Sequence, residues 1–211
     1  MKIPVYKIIV LLSLILVSCV PYPSETVYRY NKNPQYTHGE AVFYGAYYAD
    51  YGNLNHVVSL SLLSDSLEIK NGSFAGVGQY LCITDIFISP ADVLLPDGTY
   101  TAADSGEPFT FYGGEILRID SVDYTLRAYI SFVEKNEQLS KTQLITRGSF
   151  TVTNDGYDEN GARQTIVCDF VLSDSTKLYG IFSDTLPYRD QSIGVFNTKR
   201  QFRPLVIPSG K

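Results

Sequence analysis

Turn-forming residues interrupt this chain roughly every eight to twelve positions from Glu40 onward, and the apolar stretches between them mostly alternate at period two. That rhythm restricts the fold more than any other feature. "EAVFYGAYYADYG" reads as a first strand. In "HVVSLSLLSD", Val58, Leu60 and Leu62 share one face, while Ser59 and Ser61 are expected to face water. "GVGQYLCITDIFIS" is longer and more apolar, which suits a central strand. "SPADVLL" predicts one helical turn with Ser89 at its cap and Pro90 in its first position. Pro96-Asp97-Gly98 predicts a tight turn, because proline presets its φ, aspartate bonds nearby backbone and glycine accepts a positive φ.

Short strands "FTFY" and "EILRI" follow. In "SVDYTLRAYISFVE", Val122, Tyr124, Leu126, Ala128 and Ile130 fall on one face of a single strand. "KNEQLSKTQ" reads as a polar connection. "GSFTVT", "QTIVCDFVLS" and "KLYGIFSD" then make a meander linked by "NDGYDENGA" and "SDST". With 17 Tyr and 11 Phe to furnish half-buried pleated surfaces, and few strings of helix formers, the chain is expected to be all-β. Roughly nine or ten strands without βαβ spacing imply an antiparallel β-sandwich or β-barrel. A closed or nearly closed sheet is favoured, since so many apolar strands would otherwise expose edges.

The N-terminus obeys a different rule. Lys2 and Lys7 precede an apolar run from Ile8 to Val17, broken by Ser13, and small residues lead into Cys19. Such a run is about half of the roughly 20 residues a membrane span requires, so it is a secretory signal. Leu16-Val17-Ser18-Cys19 resembles the lipobox of bacterial lipoproteins. The resemblance implies that residues 1–18 are removed and that Cys19 is acylated on sulfur and nitrogen. At about 0.8 kcal/mol per buried methylene, several acyl chains suffice for stable anchoring. Residues 19–39, with prolines and no sustained period, read as the lipidated end and a tether, and 40–211 as a single β domain. Its segment 185–211 is expected to form one more strand or a tail.

The 193 residues beyond the signal carry a formal charge of −7. That argues against nucleic acid and against a polybasic membrane face. The cluster Lys199, Arg200 and Arg203 is expected to be a solvated C-terminal face.

Across most of the mature chain, the order of "YGAYYADYG", an alternating strand, "LPDGTYT", "FYGG", "GSFTVT" and "IVCDFVLSDSTKLYGIFSD" resembles a recurrent pattern in uncharacterised envelope lipoproteins of Bacteroidetes. The resemblance implies outer-membrane attachment and a β-sandwich or a lipocalin-like (calycin-like) barrel, and carries no catalytic residues. Asp65-Ser66-Leu67, Asp120-Ser121-Val122, Asp174-Ser175-Thr176 and Asp184-Thr185-Leu186 resemble the O-glycosylation acceptor of that lineage, which makes Ser66, Ser121, Ser175 and Thr185 candidate sites. Aspartate and serine are also ordinary turn residues at strand ends.

The remaining motifs fail on spacing or stand alone. Cys82 and Cys168 sit within apolar strands, with Cys168 in phase with Ile166, Phe170 and Leu172 and therefore expected in the core. They are either buried thiols or a disulfide, the latter requiring Cα atoms within about 7 Å. In "TNDGYDENGARQT", aligning Gly161 with the glycine of a calcium loop puts Gly156 at the first ligand position and Val167 where a glutamate is required. Gly76 and Gly78 lack the third glycine and the helix of a dinucleotide loop; bulges or close backbone approach explain them better. His38 and His56 match no zinc motif, no GxSxG occurs, and no cofactor is implied. Asp85 and Asp169 are the carboxylates set in apolar strands, and alternation turns Asp169 outward.

Three functions follow as expectations. The first is a non-catalytic envelope lipoprotein that binds a small-molecule, glycan or protein ligand. The alternatives are a fimbria-like subunit donating "QFRPLVIPS" as a strand, and a glycan-acting enzyme with paired carboxylates. The anchor is directly testable: an alkyne fatty acid fed to expressing cells should label the wild-type chain and leave Cys19→Ser unlabelled, whereas equal labelling would remove Cys19 from the role.

Overall fold

The computed structural model of the chain describes residues 31–134 and 139–192. Cys19, the signal segment and the donor-strand candidate "QFRPLVIPS" lie outside the described residues. The strands are β1 (Gln35–Gly45), β2 (His56–Ser64), β3 (Glu68–Lys70), β4 (Ser73–Ala75), β5 (Gly78–Ile88), β6 (Gly98–Ala102) and β7 (Thr110–Phe111). They continue as β8 (Glu115–Ile119), β9 (Val122–Leu126), β10 (Ala128–Val133), β11 (Leu139–Asp158), β12 (Gly161–Leu172), β13 (Lys177–Leu186) and β14 (Tyr188–Asp190). Ten of them form one sheet, while β3–β4 and β8–β9 are separate hairpins. The all-β expectation is met, and among the described residues no helix is long and apolar enough to cross a membrane.

The sheet closes on itself. At one end the hydrogen-bonded ring runs β1-β2-β5-β10-β11-β12-β13 and back to β1; at the other, β7 and β6 stand where β10 stood. Six of the seven steps in the first ring are antiparallel. An odd ring cannot alternate throughout, so one seam must be parallel. It falls where the first and last strands of the ring meet, at Gln35 with Ile181 and Tyr36 with Phe182, and β14 prolongs it along Ala41 to Phe43. β6 and β7 also pair in parallel. The sheet is thus mixed where a wholly antiparallel one was expected, and closure is the reason.

Inward-facing residues from every strand of the ring form one core: Tyr36, Ala41 and Phe43 from β1, Val58, Leu60 and Leu62 from β2, Leu81 and Ile83 from β5, Ile130 and Phe132 from β10, Phe150 from β11, Ile166, Cys168 and Phe170 from β12, and Phe182 from β13. Rings of seven or eight strands leave an interior that side chains just fill, and here they include Phe111, Phe150 and Tyr100, the last two stacked at 4.8 Å. The segment after β5 makes a turn in which the Ser89 hydroxyl accepts from Ala91 N, rather than the expected helical turn. It leads to the buried Leu95, whose carbonyl accepts from Gln164 Nε2 and whose N–H donates to the Tyr188 hydroxyl. Among the described residues, Asp97 accepts from Asn154 N on β11 at 2.6 Å rather than from nearby backbone, tying this segment to the sheet.

Two expected boundaries move. β1 begins at Gln35, and the carbonyls of Lys32 and Pro34 accept from Tyr179 and Ile181, so residues 31–39 belong to the barrel rather than to the tether. The run "SVDYTLRAYISFVE" is two strands, broken at Arg127, whose φ is +68°. Ala128 and Ile130 lie in the core, but Val122 is 43% exposed on the β8–β9 hairpin. Gly78 meets the close-approach expectation: a Cβ there would lie 2.3 Å from the Ser64 carbonyl oxygen.

Phe150→Ala should destabilise the fold by about 3–5 kcal/mol in urea unfolding, the usual cost of deleting a buried ring. A loss below about 1 kcal/mol would mean that the interior is not packed as described.

Candidate functional site

The site is made by a bulge in β5. Val58 faces Ile86 and Leu60 faces Ile83, so two steps along β2 match three along β5. The additional residue resets the alternation: Ile83 and Ile86 both enter the core, and Asp85 joins Phe87 on the outer wall. At the same place the edge of β5 passes from β10 to β7. The gap is bridged by Thr84 N–H donating to the Arg127 carbonyl and by Tyr112 N–H donating to the Asp85 carbonyl, both at 3.1 Å. The β8–β9 hairpin leaves the wall through this gap. Arg127 holds a left-handed backbone that costs a non-glycine residue roughly 1–2 kcal/mol, and it does so where its carbonyl completes the wall.

"YGAYYADYG" folds over the bulge. β1 ends at Gly45, whose φ of +62° turns the chain, and one 3-10 turn at Ala49–Tyr51 closes on Gly52. The turn brings Tyr48 down on Asp85. Its hydroxyl donates to Asp85 Oδ1 at 2.8 Å, while the Thr84 hydroxyl donates to Oδ2 at 3.0 Å. The Tyr48 ring lies 5.9 Å from Phe87 and 6.1 Å from Tyr112, and Phe87 and Tyr112 meet edge to face at 4.8 Å. Arg127 covers this cluster, its guanidinium 4.5 Å from the centroid of Tyr112 and its Nε 3.1 Å from Glu115 Oε1. Asn53 and Asn55 both donate to the Gly106 carbonyl and so bind the far loop.

Burial pushes the Asp85 carboxyl above its ordinary range, opposed by the hydrogen bonds from Tyr48 and Thr84 and by the Arg127 charge. Burial likewise raises the Tyr48 phenol, and the neighbouring carboxylate adds to the rise. With a donor on each oxygen and 4% exposure, Asp85 is placed to hold Tyr48 rather than to meet a substrate. From that fixed ring a row of tyrosines extends outward: Tyr47 at 4.9 Å, Tyr44 at 6.0 Å from Tyr47, and Tyr51 at 6.4 Å from Tyr48. Tyr51 is 85% exposed, and Leu54 on the same loop is 66% exposed. Rigid amphipathic rings presented this way offer contact area at little entropic cost.

The other candidate residues do not converge here. Cys82 and Cys168 are free thiols, which overturns the disulfide alternative. Cys168 points into the core, whereas Cys82 lies on the outer face with Tyr80 and Tyr129, beside Phe74 of the β3–β4 hairpin, and burial raises both thiols. Asp169 is exposed, as alternation predicts. Asp155 accepts from the Thr165 hydroxyl, and Asp158 from the Thr185 hydroxyl of β13 and the N–H groups of Asn160 and Gly161, so these two carboxylates are taken up by the β11–β12 hairpin and its neighbour β13. His38 bonds Thr37, and His56 bonds the Asp92 carbonyl. Ser66, Ser121 and Ser175 lie on exposed turns, whereas Thr185 is within β13.

Sequence reasoning missed Tyr48, Thr84, Tyr112, Glu115 and Arg127. The available signal was Asp85 itself, since a carboxylate inside "YLCITDIFIS" requires hydrogen-bond donors brought from elsewhere. Compared with family models, curated proteins and solved structures, the chain matches none.

The pH dependence is specific. Because the folded carboxyl of Asp85 is raised, its protonated form favours the native state below the unfolded value of about 3.9, and that contribution is lost as pH rises through the folded value. Relative to Asp85→Asn, the wild type should therefore lose stability between pH 4 and neutrality, read from urea midpoints; an opposite or absent trend would contradict the buried placement. Tyr48→Phe should cost about 1–3 kcal/mol at neutral pH, because it leaves one buried carboxylate oxygen without its donor.

Proposed function

We propose that this protein is a non-catalytic, lipid-anchored component of the bacterial cell envelope, held at the outer membrane through Cys19, which binds a partner on the outer wall of its barrel. The observation that carries this reading is the row of half-buried Tyr44, Tyr47 and Tyr48, pinned by Asp85 and ending in the exposed Tyr51. The apolar side chains occupying the interior favour an outside contact over a ligand held within the barrel. An extended glycan chain or a neighbouring envelope protein suits such a surface, because either can lie along several rings at once.

A photo-crosslinking residue placed at Tyr51 or Leu54 in living cells should yield a discrete adduct, protein or glycan, resolved by mass. The same residue at Tyr179, exposed on β13, supplies the control. Adducts equal at the two places, or none at Tyr51 and Leu54, would overturn the assignment of this wall.

A further inference from the structure

The β8–β9 hairpin turns at Asp120-Ser121 with φ of +51° and +66°, the paired positive values of a tight turn that matches strand twist. Its register sets Ile119 opposite Val122 and Leu117 opposite Tyr124. Because opposite partners share a face, these four side chains line one side. The other side carries Ile116 opposite Thr125 at its base and, nearer the tip, the two-point ion pair of Arg118 with Asp123, at 2.6 and 2.8 Å. The tip of the hairpin is therefore amphipathic, yet its apolar side looks out: Leu117, Ile119 and Val122 are 45%, 49% and 43% exposed, while on the other side only Ile116, at the base, is apolar and exposed. Among the described residues, β8 and β9 pair only with each other.

We propose that this apolar face rests on the bilayer that Cys19 anchors, an inference that depends on the anchoring proposed above. The hairpin lies flat, with Leu117, Ile119, Val122 and Tyr124 at the acyl boundary, the Arg118–Asp123 pair in water, and Asp120 at headgroup level. Reach permits it. Residues 20–30 span up to about 40 Å of chain. They lead to Asn31, whose carbonyl accepts from Gln79 at the start of β5. The hairpin leaves the wall beside Thr84, about 17 Å further along that strand. A second copy of the chain is the weaker occupant, because a few side chains already about half covered fall far short of the roughly 800 Å² per partner that a stable interface buries. A bilayer needs no such area when a tether holds the two together, since the contact is then intramolecular.

The test uses the full acylated chain anchored in vesicles of phosphatidylethanolamine and phosphatidylglycerol, with an environment-sensitive dye on Val122→Cys and, separately, on Thr125→Cys and Ser175→Cys. Cys82 and Cys168 are buried and will not compete for the dye. The dye at position 122 should shift to the blue and be quenched by brominated lipid, while those at 125 and 175 remain water-like. An acyl-labelled chain with a water-like dye at 122 overturns hairpin contact alone. A blue shift that grows with protein density and resists brominated lipid overturns it in favour of self-association. A chain that takes no acyl label overturns the anchoring as well, which alkyne labelling reads independently.

Discussion

On the edge away from β2, strand β5 has two partners to serve. Up to Ile83 that edge is paired with β10, and from Ile86 it is paired with β7. Between them the backbone polar groups must still be satisfied, because an open gap in a buried wall costs free energy for each unpaired group. The bulge at Thr84 and Asp85, the positive φ of Arg127 and the N–H of Tyr112 together meet that demand. The tyrosine row and the departure of the β8–β9 hairpin both follow from this junction.

The junction turns a carboxylate outward where alternation would have buried it among hydrocarbons. Asp85 then needs donors, and Tyr48 and Thr84 supply them. Holding Tyr48 fixes the loop after β1, which carries Tyr47 and Tyr51 with it. The same gap releases a hairpin that belongs to neither neighbouring strand, and so its apolar face is not drawn into the core. Structural polarity at one bulge thereby positions two separate surfaces, one aromatic and one aliphatic. A partner is proposed for the first and, separately, the bilayer for the second.

How much of this was legible varies with the range of the interaction. Val58, Leu60 and Leu62 on one face of β2, and Cys168 in phase with Phe170, follow from period-two alternation, a local property that survives folding unchanged. The split of "SVDYTLRAYISFVE" was not legible, because Arg127 breaks no pattern of apolar residues and only the demand of β5 for its carbonyl forces the kink. The early start of β1 was hidden for a like reason: Pro34 and Gln35 look like tether, and their order comes from β13, more than 140 positions away. Parity along β5 misleads beyond Ile83 since the bulge is invisible in composition. The aromatic site therefore lay beyond reach of the sequence, although Asp85 marked its centre.

Amide hydrogen exchange at the junction tests this account most directly. The amides of Thr84 and Tyr112, though flanking a break between strands, should exchange as slowly as those of the β11–β12 ladder, since each donates across the gap. Rapid exchange at both, with the ladder protected, would show that β5 is not sealed there and that Asp85, the tyrosine row and the hairpin are not organised by a common constraint.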